Sequence, residues 1–341
     1  MISAASDRAR LLAMLVALPD DAALAGGLLR AADDVPRLLT YAQRHGVLPY
    51  FACHLRASAP EPLRASLRST EELRALSHAV GLHAVGIATQ ALAAAGVRSL
   101  SLKGPLLSAR LYDPPFARPS LDLDLLVTRD DFVRALDALA AVSWASAPGA
   151  SSAASLARHH HVQLTSETLP ALELHFAATS SFGTQICAED LLGRARTVSV
   201  GAVTADVPGE IDELVYLAAH AAAHRVERLG WLYDLALLLR RGPDLHAVLS
   251  RARQLHLGRA VHAMLALTDQ SFALRVPLPP LDPLQRAALA SLAWGDGDGS
   301  PASLQSAARA AFIAALSDAP GRGLRHLGKK LRMRVTDRTA S

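Results

Sequence analysis

Ser101-Leu102-Lys103-Gly104-Pro105, followed by Arg118-Pro119-Ser120-Leu121-Asp122-Leu123-Asp124-Leu125-Leu126-Val127, is the stretch that decides how this chain folds. Leucines and aspartates alternate. Successive side chains of an extended chain leave opposite faces, so this period of two predicts a strand. Leu121, Leu123 and Leu125 enter a core, and Asp122 and Asp124 share the other face. Two carboxylates side by side repel each other, and a cation between them relieves the repulsion. Leu172-Glu173-Leu174-His175-Phe176 has the same alternation and offers a third carboxylate. Three carboxylates on adjacent strands form a hard anionic pocket suited to Mg²⁺ and, through it, to the phosphates of a nucleotide. Asp122, Asp124 and Glu173 are thus the expected catalytic and metal-binding residues. His175, two residues from Glu173, falls on the same face. There it meets acceptor or phosphate, or hydrogen-bonds a carboxylate.

Val97–Leu102 reads as a strand and Pro105–Tyr112 as a short helix, which puts Lys103-Gly104 at a strand-to-helix turn. Glycine permits close backbone approach, and a helix N-terminus offers free N–H groups to phosphate. Lys103 and Gly104 are therefore expected nucleotide-binding residues. No Walker Gly-x4-Gly-Lys-Ser/Thr, no Gly-x-Gly-x-x-Gly and no Gly-x-Ser-x-Gly is present, which sets aside the common nucleotide-fold and serine-hydrolase signatures. His159-His160-His161 reads as a solvated strand entry rather than a metal cluster. His220 and His224 stand at i, i+4 on a helix without the acid of a zinc-protease motif. They read as packing residues, with Trp231 and Asp234 orienting the helix.

Strands are confined to the middle of the chain. Residues 1–97 read as helical, with a start at Asp33-Asp34-Val35-Pro36, a stop at Gly46 and a further helix over Glu71–Ala95. Residues 98–206 interleave strands (Leu121–Val127, His161–Thr165, Leu172–Phe176, Thr197–Val200, Val203–Pro208) with helices such as Asp130–Ala141. Residues 207–341 are helical again, interrupted by a proline-rich linker or sharp turn at Val276–Pro283 and a loop at Gly295–Gly299, with two or three terminal helices beyond. The predicted fold is α+β: a small mixed sheet flanked by N- and C-terminal helical regions.

Bulk composition agrees. The 341 residues are 51% hydrophobic and 19% charged, enough for a large core. The net charge of +4 owes much to Arg322, Arg325, Lys329, Lys330, Arg332, Arg334 and Arg338. That segment has no aromatic residue to stack on bases, so it reads as a solvated tail before a nucleic-acid platform. Cys53 and Cys187 lie far apart, without metal-ligand spacing, which suits a reducing compartment. The apolar run Leu11–Leu18 is short and lacks a cleavage site, so it reads as an amphipathic helix. No stretch has the length and apolarity to span a bilayer. A cytoplasmic protein is expected.

Taken together, Lys103-Gly104, Tyr112-Asp113-Pro114, Arg118, Asp122-Leu-Asp124-Leu-Leu-Val127 and Glu173-Leu-His175-Phe176 resemble a little-characterised bacterial nucleotidyltransferase family of the polymerase-β-like superfamily. Ala42-Gln-Arg-His45-Gly46-Val47 is similar to its N-terminal helical segment. Leu217-Ala-Ala-His220-Ala-Ala-Ala-His224 and Leu229-Gly-Trp231-Leu-Tyr-Asp234 are similar to its C-terminal one. The likeness covers about residues 35–240. It implies metal-dependent transfer of a nucleoside monophosphate from an NTP to an unidentified acceptor, with release of pyrophosphate and two Mg²⁺ ions as cofactors. Asp122 and Asp124 are then implied to bind the triphosphate's metal, Glu173 to complete a second metal site, and Gly104 to contact phosphate. The superfamily usually carries Gly-Ser or Gly-Gly at that turn. Here Pro105 follows Gly104, and Lys103 and Arg118 are the expected compensating cations. Two alternatives stand beside this: a catalytically weak or inactive module of the same fold that binds a nucleotide or a partner, and a related group transferase using a sugar nucleotide.

Overall fold

The computed structural model describes residues 4–120, 122–147, 149, 156, 160–179, 181–292 and 302–319. Among these, the strands are β1 (Leu100–Ser101), β2 (Asp122–Leu126), β3 (Ala145–Ser146), β4 (His161–Thr165), β5 (Ala171–His175), β6 (Arg196–Val200) and β7 (Val203–Val207). The first five form one sheet in the order β1-β2-β5-β4-β3, and β6 and β7 pair as a separate hairpin. β2 and β5 run parallel and the other neighbours antiparallel. Helices precede and follow this mixed sheet, so the architecture is α+β.

The alternation of the two central strands sets the layers. Leu123 and Leu125 of β2, Leu172 and Leu174 of β5, and Val162 and Leu164 of β4 share one buried face. They pack with Ala84, Val85, Ala88 and Leu92 of the Glu61–Ala94 helix and with Phe132, Ala135 and Leu139 of the Phe132–Ala140 helix. The opposite face carries the polar residues. A second core joins the ends of the chain: Leu11, Leu15 and Leu38 from N-terminal helices cluster with Leu214, Leu232, Val261 and Met264 from C-terminal ones.

Predicted helix starts and stops are visible where capping chemistry marks them. Asp34 accepts a hydrogen bond from the Arg37 amide at the head of the Val35–Arg44 helix, and Gly46 takes a φ of +70° just beyond its end. The helix expected over 71–95 begins ten residues earlier, at Glu61. Leu73 and Leu76 in its first half are exposed, so no apolar stripe marks that half. Helix Leu48–Leu55 falls in the region read as helical, whereas helix Ala188–Gly193 and strand β3 have no counterpart in the sequence expectations, and β1 is shorter than its predicted strand. Pro283, predicted to close the linker, instead opens the Pro283–Ala290 helix, which Asp282 and Gln285 cap reciprocally. Leu121, His159, the Gly295–Gly299 loop and the basic residues from Arg322 onward lie outside the described residues. No helix among the described residues is long and apolar enough to cross a membrane.

Candidate active site

Register brings the acids together. Across the parallel β2–β5 pair, Asp124 stands opposite Glu173 and Leu126 opposite His175, while Asp122 precedes Asp124 by one side-chain repeat on the same face. Antiparallel β4 extends this polar face by placing His161 opposite His175. Asp124, Glu173 and His175 each direct a potential ligand atom into one cluster, all within 4.8 Å of one another.

Asp124 is the centre. It is only 2% exposed, and its Oδ1 lies 3.0 Å from Lys103 Nζ and 3.2 Å from His175 Nε2. The same His175 nitrogen is 3.3 Å from Glu173 Oε2. Burial alone would raise the Asp124 carboxyl, but the Lys103 charge and the His175 hydrogen bond outweigh it and hold the group well below the usual carboxylate range. The His175 hydrogen bond likewise lowers Glu173 against the opposing effect of burial. Asp122 goes the other way: burial first, then the neighbouring Asp124 charge, raise it. Burial would lower His175, yet its hydrogen bonds to Asp124 and Glu173 leave it raised. The three acids therefore differ in strength, and the Lys103 ammonium and a His175 hydrogen bond already stabilise the charge of the strongest.

Lys103 and Gly104 lead from β1 into the Gly104–Leu111 helix, and Gly104 holds a φ of +75°, a backbone conformation that favours glycine. Lys103, the expected partner of a triphosphate, is paired with Asp124, with its side chain 15% exposed. Arg118 is likewise engaged. Its Nε donates to Asp234 Oδ1 at 2.9 Å, and the Tyr112 hydroxyl donates to the same oxygen at 2.7 Å. With both partners almost wholly buried, Arg118 ties the segment before β2 to the Leu229–Leu239 helix rather than presenting a free cation.

The motifs from the two ends of the chain meet beside this tie. The Gly230 amide donates to the His45 carbonyl at 3.0 Å. A Cβ on Gly230 would stand 3.0 Å from the Gly46 carbonyl oxygen, a tight contact that glycine avoids. His45, Gly46, Tyr112, Arg118, Trp231 and Asp234 line one shallow cleft there.

The sequence reading missed two contributors. Tyr216, buried on the Glu210–Ala223 helix, lies close enough to Lys103, Asp124 and Glu173 to interact electrostatically with each. His161 brings Nε2 to 3.9 Å from Glu173 Oε2. A signal for Tyr216 existed: with His220 and His224 it repeats at i, i+4, i+8, one helical face. The rings of His220, His224 and Trp231 contact one another at centroid distances of 4.6–5.2 Å in tilted and edge-on arrangements, a packed cluster as expected. Burial keeps His220 well below, and His224 at about 4 against, the ordinary histidine value.

An acidic centre on neighbouring strands of a mixed sheet, under a helical cover, is an arrangement able to hold a cation for phosphate chemistry. Residues 31–273, well over half of the chain, match the family described as "Uncharacterised nucleotidyltransferase", and the protein belongs to that family. The match reaches further at both ends than the likeness read from motifs. Membership makes the chain a transferase by family and implies a nucleotide substrate. No curated protein matches it, and no solved structure does.

Proposed function

We propose that the protein transfers a nucleoside monophosphate from an NTP to an acceptor, with Mg²⁺ as cofactor and pyrophosphate as the leaving product. The observation that carries this reading is the register of β2 on β5, which sets Asp124 opposite Glu173 with Asp122 one repeat away on the same face. The donor set fits the ion: carboxylate oxygens are hard ligands of the kind Mg²⁺ prefers. The cation demand is also visible, since Lys103 and His175 crowd Asp124 Oδ1. Asp122, Asp124 and Glu173 would hold Mg²⁺, which when bound supplies charge neutralisation for the triphosphate and acidifies an acceptor hydroxyl.

The chain's own residues do the remaining work. Lys103, held 3.0 Å from Asp124 Oδ1, would add positive charge where negative charge develops on the phosphates. His175 orients both Asp124 and Glu173 through one nitrogen. Glu173, the more accessible of that pair, receives the acceptor's proton. The Arg118–Asp234–Tyr112 tie holds the helical cover over the sheet, which is positioning. The acceptor and the base of the NTP follow from mass spectrometry of candidate acceptors, the protein itself included, after incubation with mixed NTPs and Mg²⁺. A nucleotide mass increment lost in Asp124→Asn and Glu173→Gln supports the reading. Absence of both increment and pyrophosphate release across small-molecule, peptide, RNA-end and glycan acceptors defeats it.

One observation favours a second reading, a binding module of the same fold. The Lys103–Asp124 pair closes the centre on itself with an internal cation, as a site that no longer turns over can. Calorimetric NTP binding without pyrophosphate release selects this reading. Preferential stabilisation by a sugar nucleotide over an NTP selects the related group transferase.

A further inference from the structure

We propose that His160, His161 and His175 form a binding site for a late first-row divalent cation, Zn²⁺ foremost, with water or a substrate oxygen as the remaining ligand. The site goes beyond nucleotidyl transfer and does not rest on it.

Three imidazoles converge here. Their ring centroids lie 4.8 Å (His160–His161), 4.9 Å (His161–His175) and 5.6 Å (His160–His175) apart. One potential ligand atom from each falls within 4.8 Å of the other two. Adjacent residues of a regular strand point to opposite faces, but His160 sits at a bend just before β4, and its ring joins the same side as His161. The backbone fixes all three positions. His161 is in register with His175 across β4 and β5, and the Phe176 amide donates to the His160 carbonyl at 3.0 Å.

His175 supplies the observation that points to a metal. Its Nε2 faces Asp124 Oδ1 and Glu173 Oε2, which leaves Nδ1 as the nitrogen available for an ion. That Nδ1 is buried and has no hydrogen-bond partner among the described residues, in a side chain only 5% exposed. A buried imidazole nitrogen without a partner costs desolvation free energy. A histidine that gives one nitrogen to a carboxylate and the other to a cation is the usual arrangement of a metal ligand, because the carboxylate fixes the ring and raises its basicity. Tetrahedral coordination with Zn–N bonds of about 2.0–2.1 Å places ligand nitrogens about 3.3 Å apart, so modest side-chain rotation closes the cluster. His160 and His161 are only half-buried, which gives the ion an entry path. An all-nitrogen set selects Zn²⁺, Co²⁺ or Ni²⁺ over Mg²⁺.

The test uses the full chain, freed of any histidine tag and stripped with chelator, titrated with Zn²⁺ alone and with Co²⁺ alone. Calorimetry and elemental analysis read stoichiometry, and the Co²⁺ visible spectrum reads coordination. The expected result is a single ion per chain, a tetrahedral Co²⁺ spectrum, and no displacement by excess Mg²⁺. His160→Gln and His161→Gln should each weaken binding by about 100-fold, while Asp122→Asn leaves it unchanged. His160 precedes the strand, so its variant retains the fold; an unaltered metal-free melting curve verifies this. Failure of the wild type to retain an ion overturns the proposal. So does undiminished binding in both histidine variants, or displacement by Mg²⁺, which would place the ion on the carboxylates. None of these outcomes depends on turnover of an NTP, so the proposal and the transferase reading fail separately.

Discussion

Replacing Lys103 by Met removes the ammonium 3.0 Å from Asp124 Oδ1 while keeping much of the stem's packing. At that separation the attraction is about 5.5 kcal/mol for an effective dielectric near 20. Desolvation offsets much of it, because the two side chains are 15% and 1% exposed. The variant keeps a buried carboxylate with His175 still 3.2 Å away. Removing one member of a buried pair costs about 3–5 kcal/mol. With His175 retaining part of the compensation, Lys103→Met should lose about 2–3 kcal/mol of stability, a fall in melting temperature of about 3–4 °C for a chain of 341 residues. Asp124→Asn added to Lys103→Met should recover part of that loss, since no unpaired charge remains. Urea unfolding of the four proteins of the cycle at pH 7, without divalent ions, should yield a coupling of about 1–3 kcal/mol. Mg²⁺ should then stabilise Lys103→Met more than the wild type, a cation taking over the ammonium's place. A coupling below about 0.5 kcal/mol, or a Lys103→Met protein that melts with the wild type, refutes the reasoning.

The other expectations rest on separate parts of the molecule. Asp122→Asn should abolish pyrophosphate release yet leave melting unchanged or slightly raised, because burial and Asp124 disfavour the Asp122 charge; a clear loss of stability contradicts this. Burial keeps His220 and His224 neutral in the folded state, with His224 lowered to about 4, while an unfolded histidine takes up its proton below about pH 6.5. The unfolded state then binds more protons, so stability should fall as pH drops from about 6.5 towards 4. His224→Gln should flatten the melting-temperature profile across that window, and an unaltered slope counts against the assignment. Gly230→Ala drives a Cβ to 3.0 Å from the Gly46 carbonyl oxygen and should cost about 1–3 kcal/mol in a denaturant melt. Gly27→Ala, whose Cβ would meet nothing within 4 Å, should instead gain about 0.4–1 kcal/mol; equal effects at the two glycines would show that the close approach is unimportant.

Periodicity carried the sequence reading as far as periodicity exists. β2 and β5 were legible because leucine alternation marks one buried face, and the shared face of Asp122, Asp124, Glu173 and His175 followed from it. The Val35–Arg44 helix was legible through Asp34 and Gly46, whose chemistry acts locally. Long-range pairing was not legible. Nothing in the sequence near Lys103 shows that its ammonium belongs to Asp124, or that Arg118 is claimed by Asp234, a residue 116 positions away. His160 and His161 read as a solvated strand entry, whereas the bend before β4 gathers both rings onto His175. β3 is two residues long, too short for any alternation to register.

The joining of both chain ends in one core governs how the protein must be made. His45 and Leu229 meet although 184 residues separate them. A ribosome adding about 5–20 residues per second leaves the N-terminal helices without these partners for about 10–40 s. Through that interval Leu11, Leu15 and Leu38, fully buried in the finished protein, lack the C-terminal partners that cover them. Translation halted before residue 229 yields a fragment with an open apolar face, a substrate for chaperones and proteases.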